Sequence, residues 1–148
     1  MTRTRALALA LATCALVVAV DQGVKGLIDT QIARGDSVEV LPFLSFENTR
    51  NTGIAFGLAG DASPLLIGLT LVALVGLLAF IATRGDGVAS MWLPAGLLVG
   101  GALGNLADRV REDAVIDFVD LPAWPTFNLA DVAIVAGVVL LIAFSGRR

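Results

Sequence analysis

The fold is decided by residues 87–107, GVASMWLPAGLLVGGALGNLA, an uncharged run between Asp86 and Asp108. A helix needs about 20 mostly apolar residues to cross the hydrocarbon core of a bilayer. Gly96, Gly100 and Gly104 recur every four residues along this run and so form a ridge on one helix face. Such small-residue ridges let helices approach closely in lipid. Asp108 continues the ridge, so we expect its side chain to point into a helix bundle.

Three further uncharged stretches surround this one: Ala6 to Val20, the run between Asp61 and Arg84, and the run between Asp131 and Arg147. The first and the last are short, so their helices must extend into polar ends. The sequence is 57% hydrophobic with a mean hydropathy of +0.87, which leaves too little polar surface to face water all round. We therefore predict one integral membrane domain, residues 1–148, with four transmembrane helices at about 6–28, 62–83, 88–107 and 128–146. Outer loops would span 30–61 and 108–127.

Composition also excludes several kinds of chemistry. The net charge of −3 gives no reason to expect a nucleic-acid partner. The single cysteine, Cys14, cannot form an internal disulfide or a thiolate metal cluster. The absence of histidine removes the commonest general base, the commonest zinc ligand and every Ser-His or Cys-His nucleophile scheme.

The N-terminus can also be interpreted as a signal peptide. Arg3 and Arg5 precede an apolar run, and Leu11-Ala12-Thr13-Cys14 faintly resembles a lipobox. We favour a first transmembrane helix instead, because Thr13 is unusual before such a cysteine and the chain stays apolar through Val20.

The distribution of basic residues favours both termini on the cytoplasmic side. With that topology, arginines crowd the very short inner segments, whereas the outer basic residues are spread over two loops and helix ends. The inner set is Arg3, Arg5, Arg84, Arg147 and Arg148, and the outer set is Lys25, Arg34, Arg50, Arg109 and Arg111.

The two outer loops contain strand-like segments. Residues 37–41 and 43–46 flank Pro42, and residues 114–119 form a β-branched and aromatic run. We expect a small β-sheet cradle on the outer membrane face. Trp124 and Phe127 suit one membrane interface and Trp92 suits the other.

Polar side chains from three predicted helices converge at the outer end. Ionisable residues within a membrane are costly and usually mark functional sites, although helix ends that merely meet water are the plain alternative. Asp21 and Lys25 are four residues apart on one helix face and can pair. The convergent residues are Asp21, Lys25, Asn105, Asp108, Asn128 and Asp131.

Three kinds of chemistry could use this cluster. Ser-Lys hydrolysis would need Lys25 as a neutral base, but Asp21 one turn away keeps it protonated. A carboxylate metal site is possible in principle, yet no compact carboxylate loop is present. Two aspartates that share one proton remain: one carboxylate takes a proton from water, and the protonated partner polarises the scissile carbonyl.

The chain resembles the signal peptidase II family over nearly its whole length. The two most specific blocks are residues 100–110, GGALGNLADRV, and residues 127–131, FNLAD. Further matching segments are Asp21-Gln22 with Lys25, residues 50–57 (RNTGIAFG) and residues 115–118 (VIDF). Ile54 is a conservative departure, since alanine often stands there in the family.

The resemblance implies that Asp117 and Asp131 are the catalytic pair. The residues alone could not select Asp117 over Asp108 or Asp120. It also implies that Asn51, Asn105 and Asn128 hydrogen-bond the aspartates or the substrate backbone. Gly53, with Ala55 and Gly57, would allow close approach of a peptide backbone. Asp108 and Arg109 would hold the outer layer together, or Arg109 would touch substrate, and Asp21 with Lys25 would be a structural tie.

The implied substrate is a prolipoprotein whose cysteine already carries a diacylglyceryl group, cut just before that cysteine. The enzyme would need neither cofactor nor metal. It would act as a monomer in contact with membrane lipid, in the bacterial cytoplasmic membrane, with its active site at the outer face. The alternatives are a non-enzymatic transport or assembly subunit that uses the polar cluster as proton relay or helix glue, and an inactive homologue.

Overall fold

The computed structural model describes residues 1–53, 63–83 and 91–145. Some predicted features lie outside these residues: Ile54, Ala55, Gly57, the first residue of the predicted second helix, residues 88–90 and residue 146. Within the described part, the elements follow the order α1, β1, β2, α2, α3, β3, β4, α4.

Four helices form where the uncharged runs predict them. They are α1 Arg3–Gln31, α2 Ser63–Thr83, α3 Trp92–Glu112 and α4 Leu129–Ser145. Two extend beyond the predicted bounds: α1 continues to Gln31 instead of 28, and α3 continues to Glu112 instead of 107. Asp108 and Arg109 therefore lie within α3, as the continued glycine ridge predicts for Asp108, although the predicted outer loop began at residue 108. The chain leaves α3 through Asp113, whose left-handed conformation (φ 55°) ends the helix.

The predicted small sheet is confirmed and has four antiparallel strands in the order β1-β2-β3-β4. The strands are β1 Ser37–Leu41, β2 Leu44–Asn51, β3 Val115–Leu121 and β4 Trp124–Phe127. The sequence did not predict β4. One face of the sheet packs on the ends of two helices, where Ile28, Ile32 and Phe118 form a buried cluster with Phe46 and Leu129 beside it.

Helix α3 lies at the centre of the bundle, packed most extensively on α1 and α4 and less on α2. The glycine ridge is the reason. A Cβ atom at Gly96 would lie 2.7 Å from the Ala10 carbonyl oxygen of α1, and one at Gly100 would lie 2.8 Å from Val17 Cβ. Gly101, on the other side of α3, faces the Ala130 carbonyl of α4 just as closely. Only hydrogen fits between these backbones.

The distribution of polarity is the reverse of that in a soluble protein. The largest fully buried side chains are Lys25, Asn48, Asn128, Asp21 and Pro94. Large apolar side chains on the helices are instead exposed, such as Leu11 at 62%, Val72 at 71% and Ile142 at 69%. Lipid-facing helices with a polar interior show this pattern.

Among the described residues, α1 alone is long and apolar enough to cross a membrane by length and composition. Two shorter apolar helices cover Pro64–Ala79 and Leu129–Ser145. The count of four spans therefore stays a prediction.

We expect Gly101→Ala to lower the thermal stability of the detergent-solubilised protein. The added methyl group must displace the Ala130 carbonyl, and overpacking of this kind costs about 1–3 kcal/mol. Gly23→Ala is the matched control, because nothing lies within 4 Å of a Cβ atom there and alanine favours a helix. Thermal unfolding monitored by circular dichroism compares the two. Equal midpoints for both variants would show that the α3–α4 contact is not tight.

Candidate active site

Asp131 is fixed by the first turn of α4. The Asn128 side-chain oxygen accepts from the Asp131 backbone N–H at 3.0 Å, and an Asp131 carboxylate oxygen accepts from the Asn128 backbone N–H at 3.2 Å. This reciprocal pair has the geometry of a capping box, with asparagine at the N-cap and the acid three residues later. The segment FNLAD thus places Asp131 at the helix start, where a negative charge is also favoured by the helix dipole.

Asp117 lies in the middle of β3, opposite Thr49 of β2, and its side chain is buried. Both of its carboxylate oxygens accept hydrogen bonds from side-chain amides. Asn51 Nδ2 donates to Oδ2 at 2.9 Å, and Asn128 Nδ2 donates to Oδ1 at 2.6 Å. The strand and the two amides leave this carboxyl group little freedom to turn.

Two asparagines connect the two aspartates. Asn105 of α3 donates from Nδ2 to Asp131 Oδ1 at 2.8 Å, and its own Oδ1 accepts from Asn128 Nδ2 at 3.1 Å. Since Asn128 also donates to Asp117, an unbroken chain of side-chain bonds runs from one carboxylate to the other. The structure therefore brings together Asp117, Asp131 and the three predicted asparagines.

The environment of Asp117 raises its pKa to about 6. Burial is the main cause, since it disfavours the charged carboxylate, and the nearby charge of Asp131 acts in the same direction. The hydrogen bonds from Asn51 and Asn128 and the charge of Lys25 act against this rise. A carboxyl group of this kind can hold a proton close to neutral pH.

Beneath the two aspartates lies a buried ion cluster centred on Lys25. Its ammonium group contacts Asp21 Oδ2 at 2.8 Å and Asp108 Oδ2 at 2.6 Å, and donates to Asn105 Oδ1 at 3.1 Å. Asp21 also accepts from the Ala130 backbone N–H at 2.9 Å. The cluster thereby links α1, α3 and the start of α4 under the site.

Gln22 extends the same cluster, and sequence reasoning gave it no role. Its Nε2 donates to Asp108 Oδ1 at 2.8 Å and to the Gly104 carbonyl at 3.2 Å. Its Oε1 accepts from Arg111 at 2.8 Å. In the sequence, only its position next to the buried Asp21, within the family motif, could have indicated this role.

Arg109 takes no part in these ion pairs. Within the part of the chain that the structure describes, its Nε is the one buried side-chain nitrogen or oxygen without a hydrogen-bond partner. A buried donor left unpaired costs free energy, so such a group calls for a ligand. Asp108 ties α3 to β3 and α1, because it accepts from the Ile116 backbone N–H at 3.3 Å as well as from Lys25 and Gln22.

A cleft of about 340 Å³ adjoins Asp131. It lies between α2, α3 and α4, and Asn105 and Arg109 form part of its wall. Its other lining residues are Thr70, Ala73, Leu74, Leu98, Ala102 and Ile134. The cleft thus combines apolar walls with a few polar groups, which is the usual make-up of a binding site.

Gly53 closes the turn that follows β2. Its backbone N–H donates to Asn51 Oδ1 at 2.8 Å, and its φ of 75° lies in the region that favours glycine. A Cβ atom there would also collide with Leu66 of α2. In residues 1–53, 63–83 and 91–145, no group of three or more acidic or cysteine side chains is arranged to hold a metal ion.

Comparison with known proteins gives a consistent result. The family model described as signal peptidase (SPase) II matches residues 13–146. A lipoprotein signal peptidase of Moorella thermoacetica is 40% identical over 127 residues, 85% of each chain, and one of Pelotomaculum thermopropionicum is 39% identical over 130 residues, 86% of this chain and 84% of the other. A solved bacterial membrane enzyme superposes with a TM-score of 0.83 at 34% identity, covering 93% of this chain and 92% of that one.

Replacing Asp131 with asparagine should lower the pKa of Asp117. The charge of Asp131 disfavours ionisation of its neighbour, so its removal stabilises the Asp117 carboxylate. A pH titration of the carboxyl stretching band by infrared spectroscopy measures the shift, with Asp117→Asn used to assign the band. An unchanged or raised pKa would mean that the two carboxylates do not sense each other.

Lys25→Met should destabilise the fold severely. It leaves Asp21 and Asp108 buried without a counter-ion, and breaking a buried pair this way costs about 3–5 kcal/mol. Arg34→Met is the control, because the Arg34 side chain is 63% exposed and surface ion pairs contribute about 0–1 kcal/mol. Unfolding in detergent mixtures of rising denaturant content measures both. A loss no larger than that of Arg34→Met would rule out a structural role for the cluster.

Proposed function

The chain belongs to the signal peptidase II family, and we propose that it removes signal peptides from diacylglyceryl-modified prolipoproteins with Asp117 and Asp131 as the catalytic pair. It is a peptidase by family membership, and the aspartic mechanism is our inference from its site. The observation that supports it most is the pair of asparagines, Asn105 and Asn128, which join the two carboxyl groups beside a cleft. No feature of the described residues favours a transport or assembly subunit.

The two aspartates are suited to different roles because their surroundings differ. Asp117 is buried, and its raised pKa lets it take up a proton close to neutral pH; the protonated form donates a hydrogen bond to the scissile carbonyl oxygen. Asp131 lines the cleft, so its ionised carboxylate can take a proton from water while the oxygen of that water attacks the carbonyl carbon. The tetrahedral intermediate then collapses as Asp131 returns the proton to the leaving amine nitrogen, and the peptide C–N bond breaks.

Arg109 and Asn105 are the proposed contacts to the substrate backbone. Both line the cleft, and the unpaired Nε of Arg109 can donate to a peptide carbonyl near the scissile bond. Asn51, Gly53 and Asn128 support the carboxyl groups and the turn beside them.

The substrate class follows from the cleft and the family. Leu74, Leu98 and Ile134 give the cleft apolar walls that suit a signal-peptide helix or an acyl chain. A diacylglyceryl group anchors the cysteine at the membrane interface, which holds the scissile bond at one depth. Proximity of this kind can account for a large part of the rate. The enzyme would act as a monomer surrounded by lipid, without cofactor or metal.

We also propose that all four helices cross the bacterial cytoplasmic membrane, with both termini inside and the sheet on the outer face. The register of the sheet supports its position. Leu41 pairs with Leu44, Leu121 pairs with Trp124, and the Ser45–Asp120 pair sets Leu44 beside Leu121. These four residues form an apolar row on the sheet face that also carries Phe46, which packs towards the helix ends. Such a row suits the bilayer interface.

Asp117→Asn and Asp131→Asn should each reduce cleavage about a thousandfold, within the range for loss of a general acid or base. Asp113→Asn is the matched control. Asp113 is an exposed acid in the left-handed region, which asparagine adopts readily. Purified proteins are assayed with a diacylglyceryl-modified prolipoprotein and an unlipidated counterpart. If either catalytic variant retains near wild-type rates on the lipidated substrate, the proposed pair is wrong.

Trp124 should lie at the lipid interface. Its side chain is 66% exposed, and the chain contains two tryptophans, so Trp92→Phe leaves Trp124 as the only reporter. In vesicles that contain brominated phospholipids, we expect strong quenching of its fluorescence, most from bromines near the headgroups. Trp124→Phe reports the contribution of Trp92 separately. Fluorescence of Trp124 that responds to aqueous iodide and not to bromolipids would place the sheet away from the membrane.

A further inference from the structure

Arg50 connects three elements through one guanidinium group. Its Nε donates to Glu112 of α3 at 2.6 Å, its Nη2 to Asp29 of α1 at 2.5 Å, and its Nη1 to Asn48 of β2 at 2.5 Å. The side chain is only 14% exposed. The planar guanidinium group donates to three acceptors in fixed directions. It therefore holds the backbone of Arg50 in place more firmly than a lysine ammonium group would.

The strand that carries Arg50 needs such an anchor. Strand β1 pairs with β2 as far as Glu47, and Asn48 still exchanges backbone hydrogen bonds with Gly35 and Asp36. Among the described residues, Thr49 to Asn51 pair only with β3. A shift in register also interrupts β2 between Phe46 and Thr49. Within the described part of the chain, no strand covers the other side of Thr49 to Asn51, and the Arg50 ion pairs tie this strand end to α1 and α3.

The next residue, Asn51, contacts the proposed catalytic carboxyl group. Successive side chains of a strand point to opposite faces, so Arg50 faces its acidic partners on α1 and α3 while Asn51 faces Asp117. Asn51 is itself exposed at the strand end. Its bond to Asp117 and its bond to the Gly53 N–H both depend on where the end of β2 is held.

We propose that Arg50 is a positioning residue for the peptidase reaction, acting through Asn51 by holding the end of β2 so that the Asn51 amide stays on Asp117. The proposal rests on the function of Asp117 proposed above. Arg50 does not touch substrate in this account. It fixes the distance between β2 and the carboxyl group that polarises the scissile carbonyl.

The proposed role of Arg50 also bears on the pKa of Asp117. The Asn51 amide stabilises the charged carboxylate, so a loosened Asn51 should raise the pKa of Asp117 further above its ordinary value. The charges of Asp131 from α4 and Lys25 from α1, which also act on Asp117, are the same in every variant considered.

Arg50→Met tests the proposal, with Arg34→Met as control. Arg34 contacts the same two acids, Glu112 at 2.8 Å and Asp29 at 4.0 Å, but is exposed and far from Asn51 in the chain. We expect Arg50→Met to lower kcat about tenfold, the scale of one charge-assisted hydrogen bond lost, with KM nearly unchanged. Arg34→Met should leave kcat unchanged, and Arg50→Lys should restore it in part. Equal effects of Arg50→Met and Arg34→Met would overturn the proposal.

A double-mutant cycle separates positioning from general destabilisation. If Arg50 acts through Asn51, Arg50→Met has little further effect on kcat in an Asn51→Ala background. A purely structural role would give additive losses in the two backgrounds, and that outcome refutes the proposal.

Infrared titration of the Asp117 carboxyl group supplies a readout that does not depend on catalysis. Its pKa should rise in both Arg50→Met and Asn51→Ala and stay unchanged in Arg34→Met. If Asp117→Asn remained active, the proposed function would fail, yet the titration would still decide whether Arg50 positions Asn51. If Asp117→Asn is inactive and the pKa is the same in Arg50→Met and wild type, only the inference on Arg50 fails.

Discussion

The buried ammonium group of Lys25 is the interaction on which the rest of the structure depends. A charge removed from water is costly unless it is paired, and Lys25 meets both Asp21 and Asp108. The two acids then bind backbone: Asp21 accepts from Ala130 at the start of α4, and Asp108 accepts from Ile116 in β3. One ion cluster therefore fixes β3 and α4, the two elements that carry the proposed catalytic aspartates.

Asn105 and Asn128 connect this cluster to the carboxyl groups of Asp117 and Asp131. An amide can donate and accept at once, so Asn105 accepts from Lys25 and donates to Asp131, while Asn128 caps α4 and donates to Asp117. Neutral amides orient the carboxyl groups without supplying a cation that would hold both of them ionised. This is a physical reason for amides, not further basic residues, between two aspartates that differ in protonation in the proposed mechanism.

Local patterns in the sequence predicted most of the secondary structure and part of the helix packing. Runs without charge predicted the helices, the glycine spacing predicted the close packing of α3, and β-branched segments predicted three of four strands. Strand β4 was missed because Trp124-Pro125-Thr126-Phe127 is too short and contains proline, so its pairing with β3 comes from tertiary contacts. The end of α3 was placed too early because charges at 108–112 were interpreted as loop residues, whereas two of them pair within the fold.

The sequence by itself determined the membrane character, the helix order, the absence of histidine chemistry and, through family motifs, the candidate aspartates, because hydropathy, spacing and motif identity are local properties of the chain. Only the tertiary structure decided which amide contacts which carboxylate, that Arg109 Nε has no hydrogen-bond partner among the described residues, and that Arg50 ties the end of β2 to two helices. These contacts join residues far apart in the chain: Asn51 and Asp117 are 66 positions apart, and Arg50 and Glu112 are 62 apart. Their geometry depends on how helices and sheet pack, which no local pattern records.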